Sequence, residues 1–308
     1  PYAEGYMKSS PGVPHAFHMQ AHLAMRLGKW QDTTDRSRKA YELEKAYHAA
    51  LKVKPEDDHQ FRHHAETLTR GLVHDGRFAE ARQVKAEAAG YKFEFRAEWF
   101  RMAVAAHDWP AAQAVVDGLR KSDKATASYY AAVLALEQGD PDRAAAEVDT
   151  LRLSQQNKKP GKDAKVQELR LWEAHGRLLC QTGQADGGLK LLKRAVDRVK
   201  DDFAAHAWGG GAYFMEAWGV GALDGGRAAD AEEAFQEALA HDPGSVRGAL
   251  GLWAVCDRLG RGDEAERYLR LARRCWARAS AADFDRLHAD FARRAANLPT
   301  NAAAGGGS

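Results

Sequence analysis

Long apolar runs are missing from this sequence. Nowhere do about 18 uncharged apolar residues follow one another, so no stretch reads as a membrane-spanning helix. Net charge is nearly absent too: 45 Lys and Arg stand against 43 Asp and Glu, a formal +2, which gives no global pull toward nucleic acid. Cysteine is scarce. Three in 308 residues is an odd count and too few for a disulfide framework. Cys180, Cys256 and Cys275 fall in helical stretches and read as small core residues rather than catalytic thiols. With only 9 Pro, long helices are permitted. Core material is plentiful: 11 Phe, 8 Trp and 9 Tyr in a chain that is 45% apolar exclude disorder as the main state.

The ends look processed. Residue 1 is Pro and no signal peptide is visible, so the chain reads as a mature form or an excised fragment. That leaves a cytoplasmic or a periplasmic residence open. Residues 301–308, NAAAGGGS, read as flexible, and the tail is taken to begin at 299.

A turn pattern repeats along the chain. A Gly is followed by an aromatic or small residue two positions on and by Ala or similar three further on. Gly28-Lys-Trp30-Gln-Asp-Thr33 and Gly76-Arg-Phe78-Ala-Glu-Ala81 fit, and His107-Asp-Trp109-Pro-Ala-Ala112 fits with His in place of Gly. Gly139, Gly183, Gly226 and Gly260 head similar turns, and the successive spacings are 48, 31, 32, 44, 43 and 34 residues. The longer gaps hold loop-like inserts at Ser154–Asp163 and His206–Gly211.

The unit from Ala212 to Ser245 resembles the tetratricopeptide repeat at Trp218, Gly219, Ala231, Phe235, Ala238 and Pro243, and the last spacing equals that repeat's length. The resemblance implies an all-α solenoid of about seven helical hairpins, with residues 282–298 as a C-terminal capping helix. It reads as one elongated domain over 1–298, best matched at 169–279. A single hairpin cannot bury its apolar face, so the units must stack. The Trp and Phe residues then read as packing, not a cofactor box. The Gly-rich stretch 209–226 lacks GxGxxG spacing and follows no strand, so it is no nucleotide loop. Arg267, Arg270, Arg273, Arg274 and Arg278 alternate with acids and read as a solvated face.

The placement of the 13 His is more informative than their number. With each turn residue numbered 15, positions 2, 5, 9 and 12 share one helix face. In tetratricopeptide solenoids these positions, with 13, line the concave groove. The groove of residues 14–105 then collects His15, His18, His22 and Arg26 from the first unit, His63, Glu66, Arg70 and His74 from the second, and Glu94 and Arg101 from the third. The later units show no such histidine cluster.

Two chemistries follow. His18 and His22, at i and i+4, can reach one metal ion, with His63 or Glu66 completing the set. That would be a divalent transition-metal site, whose bound water could attack a substrate held by Arg26 or Arg70. No motif of an established hydrolase accompanies it. The leading reading is therefore a non-enzymatic scaffold, binding a protein or peptide partner through His15, Arg26, Arg70, His74, Glu94 and Arg101. A third reading is a subunit that docks in a larger assembly through an open N-terminal edge.

Residues 14–30, PHAFHMQAHLAMRLGKW, also resemble a motif, approximately HxxHMPxHIxxRxGxW/Y, of a group of uncharacterised bacterial tetratricopeptide proteins. His15, His18, Met19, His22, Arg26, Gly28 and Trp30 match, while Gln20, Ala21 and Leu23 depart from it. The second element of that group, approximately HNxHF, falls on His63, His64 and Glu66, where only His63 keeps its type. Its earlier HHYxIHxxE helix has no counterpart in this sequence. The resemblance implies a histidine-lined groove without naming a reaction.

Overall fold

A computed structural model describes residues 2–156, 162–200 and 212–300. Most of the expected inserts and nearly all of the expected tail lie outside these residues. The described chain is all helical, with sixteen α-helices and no strand.

Helix α1 (Tyr2–Ser9), which the sequence reading did not anticipate, packs on α2. Seven hairpins follow. They are α2 (Pro14–Arg26) with α3 (Trp30–Leu51), α4 (His59–His74) with α5 (Phe78–Gly90), α6 (Arg96–Ala105) with α7 (Trp109–Arg120), and α8 (Lys124–Gln138) with α9 (Pro141–Gln156). Next come α10 (Lys162–Gln181) with α11 (Ala185–Val199), α12 (Tyr213–Asp224) with α13 (Ala228–His241), and α14 (Val246–Arg258) with α15 (Gly262–Cys275). Helix α16 (Ala281–Ala295) ends the series. Within each hairpin the two helices pack together, and the first helices of successive hairpins also touch. That is the stacking of a tetratricopeptide-type solenoid.

The seven turn residues read from the sequence all adopt left-handed backbone. The six glycines have φ between 65° and 81°, and His107 takes the same conformation at φ 54°. Glycine tolerates this region without penalty, which explains the recurring residue type. Side-chain caps fix other helix starts: Asp58 accepts from Gln60 and Phe61, Asp108 from Ala111, Asp123 from Thr126 and Ser245 from Gly248. Between hairpins, Phe235 fills the space that Gly219 and Gly251 leave open. A Cβ at either glycine would stand 2.4 Å from its ring.

The stack is not elongated, contrary to expectation. It curls until its ends meet. Trp30 Nε1 donates to both carboxylate oxygens of Asp242, at 3.0 and 3.1 Å, across 212 positions of sequence. Trp276 Nε1 donates to the His74 carbonyl at 2.8 Å and its ring meets Phe78 edge-on. Arg278 pairs with Asp35 through two bonds of 2.5 and 2.7 Å. Two turn glycines make the seam fit. A Cβ at Gly28 would lie 2.6 Å from the Gly244 nitrogen, and one at Gly76 would lie 2.7 Å from the Trp276 ring. One apolar cluster accordingly runs from Tyr41 and Phe61 in the first two hairpins to Trp276 and Phe291 near the C-terminus, while a second fills the hairpins around α7 to α9.

Helix α16 covers α14 and also reaches α12. His107, in the third turn, meets Asp290 of α16 at 2.6 Å. Exposed large apolar residues concentrate toward the N-terminus, with Met19 and Leu23 one turn apart on α2 and Leu27 just past its end. Cys180 and Cys256 are buried and Cys275 is half-buried, as small packing residues should be.

Candidate functional site

Two polar regions are built mainly from the first helices of the hairpins. The first is histidine. Helix α2 holds His18 and His22 one turn apart, and α4 crosses it with His63. The His22 Nε2 lies 2.9 Å from His18 Nε2 and 3.4 Å from His63 Nε2. His18 is buried and the other two are half-buried. Burial, together with neighbouring histidines, pushes His18 down to about 2. Burial, His63 and then the Arg70 charge push His22 to about 4. Both are neutral imidazoles at neutral pH.

Around this trio sits a second layer. His64 packs beside His18, ring centroids 4.5 Å apart, and its Nδ1 lies 3.0 Å from Glu44 Oε2. His48 Nε2 meets Asp58 Oδ2 at 2.7 Å. Asp58 is also the cap of α4, so one carboxylate starts that helix and orients a histidine behind the cluster.

The remaining histidine-end expectations divide. Glu66 does not join the trio, because its carboxylate turns to Arg70 at 3.3 Å. Arg70 also pairs with the buried Glu98 at 2.8 Å, so its charge is met inside the fold rather than offered to a partner. His15 is exposed, with its ring 6.0 Å from that of His18, and Arg26 is exposed. His74 lies flat on Trp30, centroids 3.8 Å apart, at the seam. Glu94 points outward and pairs with Arg96.

The second region is a central cavity enclosing about 1040 Å³, part of it open to solvent. The first helices of the second to seventh hairpins supply most of its wall, with Trp276 and Leu287 added near the C-terminus. Its polar wall is an ion-pair network. Glu137 accepts from Arg177 at 2.6 Å and from Arg294 at 2.7 Å, and Arg294 also bonds Asp224 at 2.6 Å. Burial alone would raise the Glu137 carboxyl, yet these two guanidiniums hold it well below the usual carboxylate range. Tyr129 and Tyr213 both donate to Glu173, at 2.6 and 3.0 Å, and burial pushes that carboxyl up. Ser245 donates to Glu216 at 2.6 Å.

Arg101 differs from these. It lies 4.5 Å over the Tyr213 ring and lines the cavity. Among the described residues it has no ion pair, so it is the inward arginine left available.

The sequence reading missed this network by looking for histidine. The signal was in the same register. Positions 2, 5 and 9 of the fifth unit are Arg170, Glu173 and Arg177, and positions 2, 5 and 13 of the sixth are Tyr213, Glu216 and Asp224. Arg294 had no such signal, because it comes from α16, outside the repeats.

Comparison with known proteins agrees with the hairpins. Residues 98–158 and residues 222–275 each match the tetratricopeptide repeat family. These are repeats of a protein–protein interaction module. No curated protein matches the chain. The histidine segment lies outside both matched stretches.

Proposed function

We propose that this tetratricopeptide-repeat chain takes up a partner protein on its inner wall, with the central cavity receiving a carboxylate-bearing, apolar end of that partner. The observation that carries the reading is Arg101, a guanidinium facing the cavity with no carboxylate of its own among the described residues. Apolar wall from Phe100, Val104, Val133 and Val220 surrounds it. A carboxylate on the ligand would supply the bidentate partner that arginine geometry suits.

The lining narrows the occupant: apolar side chains around one unpaired guanidinium suit a chain end that carries both a carboxylate and apolar surface. We also propose that residues 14–30 are akin to the histidine motif of bacterial tetratricopeptide proteins, a reading supported by His15, His18, Met19, His22, Arg26, Gly28 and Trp30.

The test is site-specific photocrosslinking. A benzoylphenylalanine at Ala105, on the cavity wall, should capture one protein from the native host, and the Arg101→Met change should reduce the adduct about tenfold or more. The same probe at Leu153, exposed on α9, should capture nothing specific. Equal adducts from both positions, or an adduct indifferent to Arg101→Met, would sink the reading.

A further inference from the structure

The partner reading leaves the histidine trio unused, and its geometry asks for a different ligand. Three ring nitrogens, from His18, His22 and His63, all lie within 4.8 Å of one another. A tetrahedral ion holding imidazoles at ~2.0–2.1 Å would set their nitrogens ~3.3 Å apart. The observed 2.9 and 3.4 Å bracket that value.

Hydrogen bonding among the three does not account for the cluster. A neutral imidazole nitrogen carries either one N–H or one lone pair. The His22 Nε2 faces both His18 Nε2 and His63 Nε2, so its single proton or single lone pair would have to serve two neighbours. No choice of tautomers gives both contacts a full hydrogen bond. A cation taking one lone pair from each ring satisfies all three at once. The His18 Nδ1, on the far side of its ring, is buried with no hydrogen-bond partner, so no other contact fixes this ring's tautomer.

A neighbouring trio, Glu44, His48 and Asp58, also gathers donor atoms. There the donors already serve the protein. His48 is bonded to Asp58, Asp58 caps α4, and Glu44 faces His64. That trio is explained without an ion.

We propose that His18, His22 and His63 bind one divalent transition-metal ion of borderline character, of the zinc, cobalt(II) or copper(II) class, through their Nε2 atoms. Three neutral nitrogen donors disfavour calcium and magnesium, which demand oxygen. The ion keeps its two positive charges, because Glu66 is engaged by Arg70 and no carboxylate joins the donor set. At least one position stays open for water or a small anion, the arrangement of catalytic rather than closed structural sites.

Cobalt(II) titration of untagged protein tests the assignment without any activity assay. One equivalent should bind and give the intense visible bands of four-coordinate cobalt. Azide should shift those bands by entering the open position, and zinc should abolish them. His22→Gln and His63→Gln, both half-buried and so tolerant of exchange, should retain helicity and lose at least tenfold in cobalt affinity. His48→Gln should bind normally. Absence of uptake by the unaltered protein would overturn the proposal. So would uptake that survives both His22→Gln and His63→Gln, or loss confined to His48→Gln, which would move the ion to the neighbouring trio. Bands unmoved by azide would reject the open position.

Discussion

In the first two hairpins the inward positions carry imidazoles whose nitrogens face one another. In the fourth to seventh hairpins the same positions carry guanidiniums, carboxylates and phenols already joined in pairs. The scaffold rule is shared, since both walls are built mainly from the same face of a first helix, with Arg294 of α16 added to the second. The chemistry differs in what is satisfied internally. Glu137, Arg177, Arg294 and Asp224 answer one another, so removing one strips a buried charge of a partner. Burial holds His18, His22 and His63 below the ordinary imidazole range, so these three are neutral, and two short contacts compete for the one His22 Nε2. One wall therefore stabilises the fold, and the other is the one proposed to hold an ion.

Breaking the paired wall should have the largest effect. Arg294→Met strips both Glu137 and Asp224 of one partner in a buried site, and such losses cost about 3–5 kcal/mol. Urea denaturation should show it as a lower midpoint with unchanged slope. A change under ~1 kcal/mol would mean that the network is as dispensable as an exposed pair.

The seam between the walls should respond to pH. Burial, with the Glu216 charge adding, pushes the Asp242 carboxyl up to about 7. Unfolded, it titrates near ~3.9. Between these values the folded chain keeps a proton that the unfolded chain releases. Its contribution to stability is therefore full below about 4, falls as pH rises by up to about 1.4 kcal/mol per unit, and is flat above about 7. Asp242→Asn should remove that slope from thermal melts between pH 4 and 7. A slope that survives the substitution would assign it to another group.

The smallest effect sharpens the comparison. His22→Gln exchanges a half-buried neutral imidazole for an amide, and Arg101→Met deletes a guanidinium that pairs with no carboxylate among the described residues; each should shift stability by less than about 1 kcal/mol. A loss as large as that of Arg294→Met would show that the histidine end holds the fold as firmly as the paired wall does.

Local rules were legible in the sequence and sums over many residues were not. The seven turns could be read because each needs one left-handed residue, and six are glycine. The meeting of His18 and His22 follows from helix spacing. The refusal of Glu66 could not be read, because it depends on Arg70 and Glu98 competing for the same charge in space. The inner network was readable in register but mixes four residue types, so no single type announced it. The seam is the accumulated curvature of seven hairpins, to which no single residue testifies. Helix α1 is short and follows no repeat.

The closed ring also sets an order in time. Each hairpin joins residues near in sequence, and local contacts of this kind form quickly. The bonds from Trp30 to Asp242 and from Arg278 to Asp35 span 212 and 243 positions. They cannot draw the chain together until the intervening hairpins have set its curvature. The seam is thus expected to form after the hairpins it joins, so a chain still emerging from the ribosome holds its histidine end apart from its eventual neighbours until the seventh hairpin has been made.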